Sequence, residues 1–121
     1  MKDIQTKEDI KMVIDYFYEM AKNDDLIGSY FIEKFTVVWE HHLPIMYDFW
    51  ENVLFFTGKY SGNPMEIHQH IHQKFPLTES DFDRWLALFK KAVDTFFAGP
   101  QAETIKQKAL NIATVMKIKI L

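Results

Sequence analysis

Apolar residues recur at helical spacing along almost the whole chain, and nowhere do they alternate as in a strand. Thr6 and Asp9 have the spacing of a capping box. After them Ile10, Val13, Ile14, Phe17, Tyr18 and Ala21 mark one face, predicting a helix from about Lys7 to Lys22. Asn23-Asp24-Asp25 and Gly28 interrupt it, and Leu26 to Phe35 is a shorter apolar piece that reads as helical. From Val38 to Phe56, the residues Trp39, His42, Leu43, Met46, Phe49, Trp50, Val53 and Leu54 form one wide apolar stripe with a histidine inside it. Thr57-Gly58 is the expected stop, glycine being the usual residue just past a helix. Asn63-Pro64-Met65-Glu66 is a compact helix start, with an Asn cap and Pro in the first turn. That helix must end before Pro76, so it is short, about Pro64 to Lys74. Thr78-Glu79-Ser80-Asp81 caps a further helix bearing Phe82, Trp85, Leu86, Phe89, Val93, Phe96 and Phe97. Gly99-Pro100 separates it from a last one lined by Ile105, Ala109, Ile112, Ala113, Met116 and Ile120. The pattern predicts one all-α domain over residues 1–121, without repeats or linkers.

Composition narrows the chemistry. The 121 residues include no cysteine, which excludes disulfides, thiolate metal sites, iron–sulfur clusters and cysteine nucleophiles. The net charge of −3 argues against broad binding to nucleic acid or anionic lipid. Charges in Met1 to Asp9 stand where a signal peptide needs an apolar stretch. No apolar run approaches the ~18 residues of a membrane span. A cytoplasmic protein is the expectation.

Aromatic residues make up 16% of the chain, and all five histidines (His41, His42, His68, His70 and His72) lie in its middle. On the short helix, Met65, His68, Ile71, His72 and Phe75 are expected to share a face, with His70 turned to solvent. A histidine on an apolar stripe is most often a satisfied core residue. A second one at His42, on another helix and also among aromatics, points to a shared ligand.

Three metal chemistries compete. His68 and His72, four apart on a helix, could hold zinc, but Gln69 follows His68 where the metalloprotease motif has Glu. His68, His70 and His72 could converge from a strand, but the cap at Asn63 argues for helix. The third is a single proximal histidine on iron, with a flat apolar cofactor clamped between helices. A helical interaction module, its aromatics all core, is the cofactor-free alternative.

Several stretches resemble one known family. They are Tyr16-Phe17-Tyr18-Glu19, Trp39-Glu40-His41-His42, Phe49-Trp50, Tyr60-Ser61-Gly62-Asn63-Pro64-Met65-Glu66-Ile67-His68, Phe82-Asp83-Arg84-Trp85-Leu86-Ala87-Leu88-Phe89 and Val93-Asp94. In order and spacing they resemble the third group of truncated haemoglobins. The resemblance implies a two-over-two helical sandwich around haem b. It makes His68 the proximal iron ligand and Tyr18, His42 and Trp85 the residues facing a bound diatomic gas (O2, NO or CO). Phe17, Met46, Phe49, Trp50, Met65 and Phe89 are expected to contact the cofactor. Tyr18 and Trp85 can donate hydrogen bonds to a ligand that gains negative charge on binding. His42 is expected near the cofactor edge, as a gate. Tight O2 binding suits NO dioxygenation or peroxide activation better than carriage. The chain has no flavin or nicotinamide motif, so a separate electron donor is implied.

Overall fold

A computed structural model describes residues 1–121 and contains six helices and no strand. They are α1 (Lys7–Lys22), α2 (Ser29–Ile32), α3 (Trp39–Phe55), α4 (Pro64–Lys74), α5 (Glu79–Phe96) and α6 (Pro100–Ile120). No helix is long and apolar enough to cross a membrane. α1 packs on α3 and α5 packs on α6, and the pairs stack through α1 against α5 and α3 against α6. This is the expected two-over-two sandwich. α4 stands apart, touching only α6 among the helices.

Local chemistry explains the boundaries. The capping boxes at Thr6/Asp9 and Thr78/Asp81 are both formed. Asn63 accepts from the Glu66 amide at 3.1 Å, and Pro64 follows it at the first helical position. Such caps are worth about 1 kcal/mol each. α6 has no local side-chain cap. Its first-turn amides at Gln101 and Ala102 donate instead to the Asp3 carboxylate, at 2.9 and 2.8 Å. Gly99 precedes that turn with φ +142°, and a Cβ there would lie 2.6 Å from the Asp3 side chain. Only glycine fits both demands.

Two elements differ from the sequence pattern. The Leu26–Phe35 piece yields only the four residues of α2, because the Asp24 carboxylate accepts from the Leu26 and Ile27 amides and holds a turn there. α3 ends one residue early, and Phe56 rather than a glycine takes the left-handed cap (φ 58°, ψ 43°). Gly58 follows with φ +73° and donates to the Asn52 side chain. Pro44 lies inside α3 and removes one helix donor. Pro44 and Glu40, whose carbonyl loses that donor, are both exposed, so water can serve the carbonyl.

The core between the layers is aromatic. Phe89 and Val93 of α5 are fully buried with Ile10, Val13 and Ile14 of α1. Trp50 stacks on Phe89 with ring centroids 4.4 Å apart, and Trp85 stacks on the same Phe89 at 5.7 Å. Trp50 and Trp85 of this slab line the cavity described next.

Candidate functional site

Between the layers and α4 lies a cavity of about 640 Å³, and twenty of its twenty-six lining residues are hydrophobic. The volume falls within the roughly 300–1,000 Å³ usual for cofactor pockets. α1 supplies Phe17 and Tyr18, α3 supplies His42, Met46, Phe49 and Trp50, α4 supplies His68, and α5 supplies Trp85. The residues expected on the gas side and on the metal side therefore meet in one space, although α1 and α5 are far apart in sequence.

His68 is prepared to act as a ligand. Its Nδ1 lies 2.7 Å from the Pro64 carbonyl. A carbonyl can only accept, so the proton is on Nδ1 and the Nε2 lone pair is left for another partner. Burial pushes the His68 pKa below its usual range, against a partial upward pull from the Pro64 bond. The ring is thus neutral at pH 7. An imidazole held by a backbone acceptor on one nitrogen is the usual arrangement of a metal-bound histidine.

His72 is disqualified by the same logic. Its Nδ1 lies 2.9 Å from the Leu77 amide, which can only donate. The neutral ring then carries its proton on Nε2 and has no lone pair to offer. His72 is also absent from the cavity wall. No group of three or more His, Cys, Asp or Glu side chains is placed to hold a metal, which removes the geometry a zinc centre on His68 and His72 would need.

The face of α4 is rolled relative to the expected one. On a helical projection Met65 and His72 fall about 60° and 40° to one side of His68, and Pro64, Ile71 and Ile67 about 40°, 60° and 100° to the other. The cavity takes the second side, so Pro64, Ile67 and Ile71 line it and Met65 does not. The same roll brings His70 to the cavity rim while leaving it exposed. Phe89 is likewise off the wall. It is fully buried behind Trp50 and Trp85 and supports them.

Tyr18 is buried, and its hydroxyl lies 3.1 Å from His42 Nε2. Burial raises the Tyr18 pKa, so the phenol stays protonated. His42 is half-buried and packs edge-on against Tyr18 and Trp39, while His41 is exposed. His42 is therefore the inward one of the pair. It is tied to Tyr18, and any swing to solvent must first break that bond. Phe17 packs edge-on against both Tyr18 and Trp85, with centroids 4.9 and 5.9 Å away, and so spaces them. Trp85 has no protein acceptor for its indole N–H. Since no fully buried side-chain N or O goes unpartnered, that N–H is not sealed in the core, and Trp85 itself lines the cavity.

Part of the wall was not anticipated. Tyr30, Phe31, Phe35 and Val37, from α2 and the segment after it, close one side. Ile112, Ala113 and Met116 of α6 close another. The α6 residues were visible as an apolar stripe but read as core. The α2 residues lie where helical spacing breaks down, and only their aromatic density marks them.

An aromatic-walled slot, lined by an imidazole whose Nε2 has no protein partner and by the phenol of Tyr18 and the indole of Trp85, has room for a flat apolar cofactor with a small ligand beside it. A family model described as "Bacterial-like globin" matches residues 2–119. The chain therefore belongs to the bacterial-like globin family, whose members bind diatomic ligands through haem. It is 27% identical over 111 residues to Group 3 truncated hemoglobin ctb of Campylobacter jejuni, covering 89% of this chain and 85% of that protein. The crystal structure of a group III truncated haemoglobin from Campylobacter jejuni superposes with a TM-score of 0.85 at 25% identity, covering 100% of this chain and 96% of that one.

Proposed function

We propose that the protein holds haem b in this cavity, with His68 as the iron ligand, and retains O2 strongly enough to react it rather than carry it. The observation that carries the reading is the free Nε2 of His68 in an apolar slot also lined by Tyr18 and Trp85. When bound, haem supplies an iron that binds diatomic gases and exchanges electrons. The chain's own residues do the rest. Pro64 orients the His68 ring, Phe17, Met46, Phe49 and Trp50 exclude water, and Tyr18 Oη and Trp85 Nε1 direct protons at the ligand. Oxidation of NO by O2 to nitrate consumes one electron, and peroxide activation also draws on an external reductant, so a separate donor completes the system. Purified protein, reconstituted with hemin where necessary, should show a Soret band at one haem per chain. A protein that takes up no haem would overturn the reading.

His42 gives the site a pH dependence. Its pKa is lowered by burial, so it is neutral at pH 7 and protonates below its usual 6.5. As a neutral ring it can accept from Tyr18 through Nε2 and hold the hydroxyl proton away from the ligand. As an imidazolium it can only donate to Tyr18 Oη, which turns the Tyr18 proton toward the cavity. O2 dissociation should therefore slow by about three- to tenfold as the pH falls through the His42 titration, the worth of roughly one modest hydrogen bond. Tyr18→Phe should flatten the profile. An identical profile in that variant would place the titration elsewhere.

A further inference from the structure

The side of α6 turned away from the cavity is apolar where it meets solvent. Leu110, Val115, Ile118 and Leu121 are 36, 44, 77 and 54% exposed. At about 100° per residue, Leu110, Thr114, Ile118 and Leu121 fall on one ridge, with Gln107, Asn111 and Val115 beside it. The arc they cover, about 140° of the helix, carries no charge. Lys106 and Lys117 border it on one side, Lys108 and Lys119 on the other, and residues 104–121 contain no Asp or Glu. The first border is partly neutralised, since Lys106 pairs with Asp94 and Glu103, and Lys117 with Asp83 and Glu79. On the second, Lys108 lies over the ring of Phe56, 5.7 Å from its centre. Phe56 is itself 78% exposed and holds a left-handed backbone (φ 58°) that a bulky residue adopts only at a cost. An aromatic ring therefore stands in open solvent at the edge of the same face.

We propose that this face docks the protein on an anionic lipid bilayer, with α6 lying in the plane of the headgroups. An uncharged ridge between lysine borders is the pattern of an interfacial helix. The ridge enters the acyl boundary, the lysine stems lie along it, and their ammonium ends reach the lipid phosphates. A second copy of the chain fits the face less well, because a symmetric contact sets the lysine borders against each other. An acidic protein fits it less well too, since α6 has no Trp, Tyr or Arg, the residues that most often anchor protein interfaces. The net charge is −3 although this segment is basic, so the rest of the surface is repelled and the contact is oriented. Ile112, Ala113 and Met116, on the inner side of the same turns, line the cavity. Docking leaves one helix thickness, roughly 10–12 Å, between lipid and cavity. On the haem reading that shortens the path of apolar gases dissolved in the bilayer, but the docking itself does not depend on haem.

The test is co-sedimentation of the purified full chain with vesicles of equal parts phosphatidylglycerol and phosphatidylcholine, against pure phosphatidylcholine. At low salt, partitioning onto the mixed vesicles should exceed that onto phosphatidylcholine by about tenfold or more, and it should fall in molar salt. Lys108→Glu and Lys119→Glu should each weaken it by about fivefold or more, the worth of one lysine near an anionic surface. Ile118→Ser should weaken it by about five- to tenfold through lost insertion. Its side chain is exposed, so folding is expected to survive, and circular dichroism checks this. Lys91→Glu, at an exposed position on α5, should stay within about twofold of wild type. Absent binding, or equal binding to both vesicles, would overturn the proposal. Loss in the lysine variants with none in Ile118→Ser would mark a purely electrostatic face suited to an acidic protein, and would overturn it as well. So would a dimer in solution that Ile118→Ser dissolves, which would assign the face to a second copy. Each measurement can be made with and without haem, so failure here leaves the haem reading intact, and failure of that reading leaves this one standing.

Discussion

His68→Ala is expected to abolish tight haem binding while leaving the helical fold in place. The partners behind a metal-bound histidine are themselves worth about 10–100-fold in affinity. Loss of the ligand should cost more, at least ~100-fold, or about 2.7 kcal/mol. Added imidazole should partly restore a ferrous spectrum, because the substitution leaves room where the ring stood. His72→Ala is the informative companion. With Nδ1 spent on the Leu77 amide, His72 offers no lone pair to a metal, and its removal should leave the spectrum unchanged. Circular dichroism on both variants checks folding. His68→Ala with full haem content and an unaltered spectrum, or His72→Ala that loses haem, would reverse the assignment.

The two histidines also show what a sequence can and cannot disclose. Spacing alone puts both on the apolar side of α4, and nothing in the one-dimensional pattern separates them. The distinction comes from two backbone groups, the Pro64 carbonyl and the Leu77 amide, which fix opposite tautomers. The second lies beyond the helix end, so only the folded turn reveals it. Met65 lies off the cavity wall for a related reason. Helical period predicts which residues share a stripe, but the roll of the helix is set by what it packs against. α4 has a single helical neighbour, α6, so its stripe carries little information about its orientation. Phe89 is off the wall for a different reason. It lies on the correct face, one layer too deep, behind the two tryptophans. α1 and α5 were legible because both carry capping boxes and a continuous buried stripe. α2 was not, since a side-chain turn at Asp24 competes with the helix its apolar residues favour.

Tyr18 and Trp85 should hold bound O2 jointly but unequally in character. Trp85 Nε1–H can only donate, and it has no competing acceptor in the protein. The Tyr18 hydroxyl is shared with His42 Nε2 at 3.1 Å, so its service to the ligand depends on that ring. A hydrogen bond to a charged acceptor is worth roughly 1.5–3 kcal/mol, and ~1.4 kcal/mol is tenfold in rate. Trp85→Phe should therefore raise the O2 dissociation rate of the haem-loaded protein by about ten- to a hundredfold, while Tyr18→Phe should raise it less at pH 7, where neutral His42 competes for the hydroxyl proton, and by up to about tenfold once His42 is protonated. CO dissociation should change far less, since bound CO carries little charge. Phe17 touches both rings, and each variant keeps a phenyl group against it, near-isosteric for Tyr18→Phe and smaller than the indole for Trp85→Phe. The double variant should be non-additive, as expected for donors that serve one atom. Ligand displacement followed by stopped flow on the four proteins separates the cases. Equal acceleration of O2 and CO would show that packing, not hydrogen bonding, was lost, and unchanged O2 release in both single variants would remove these residues from the site.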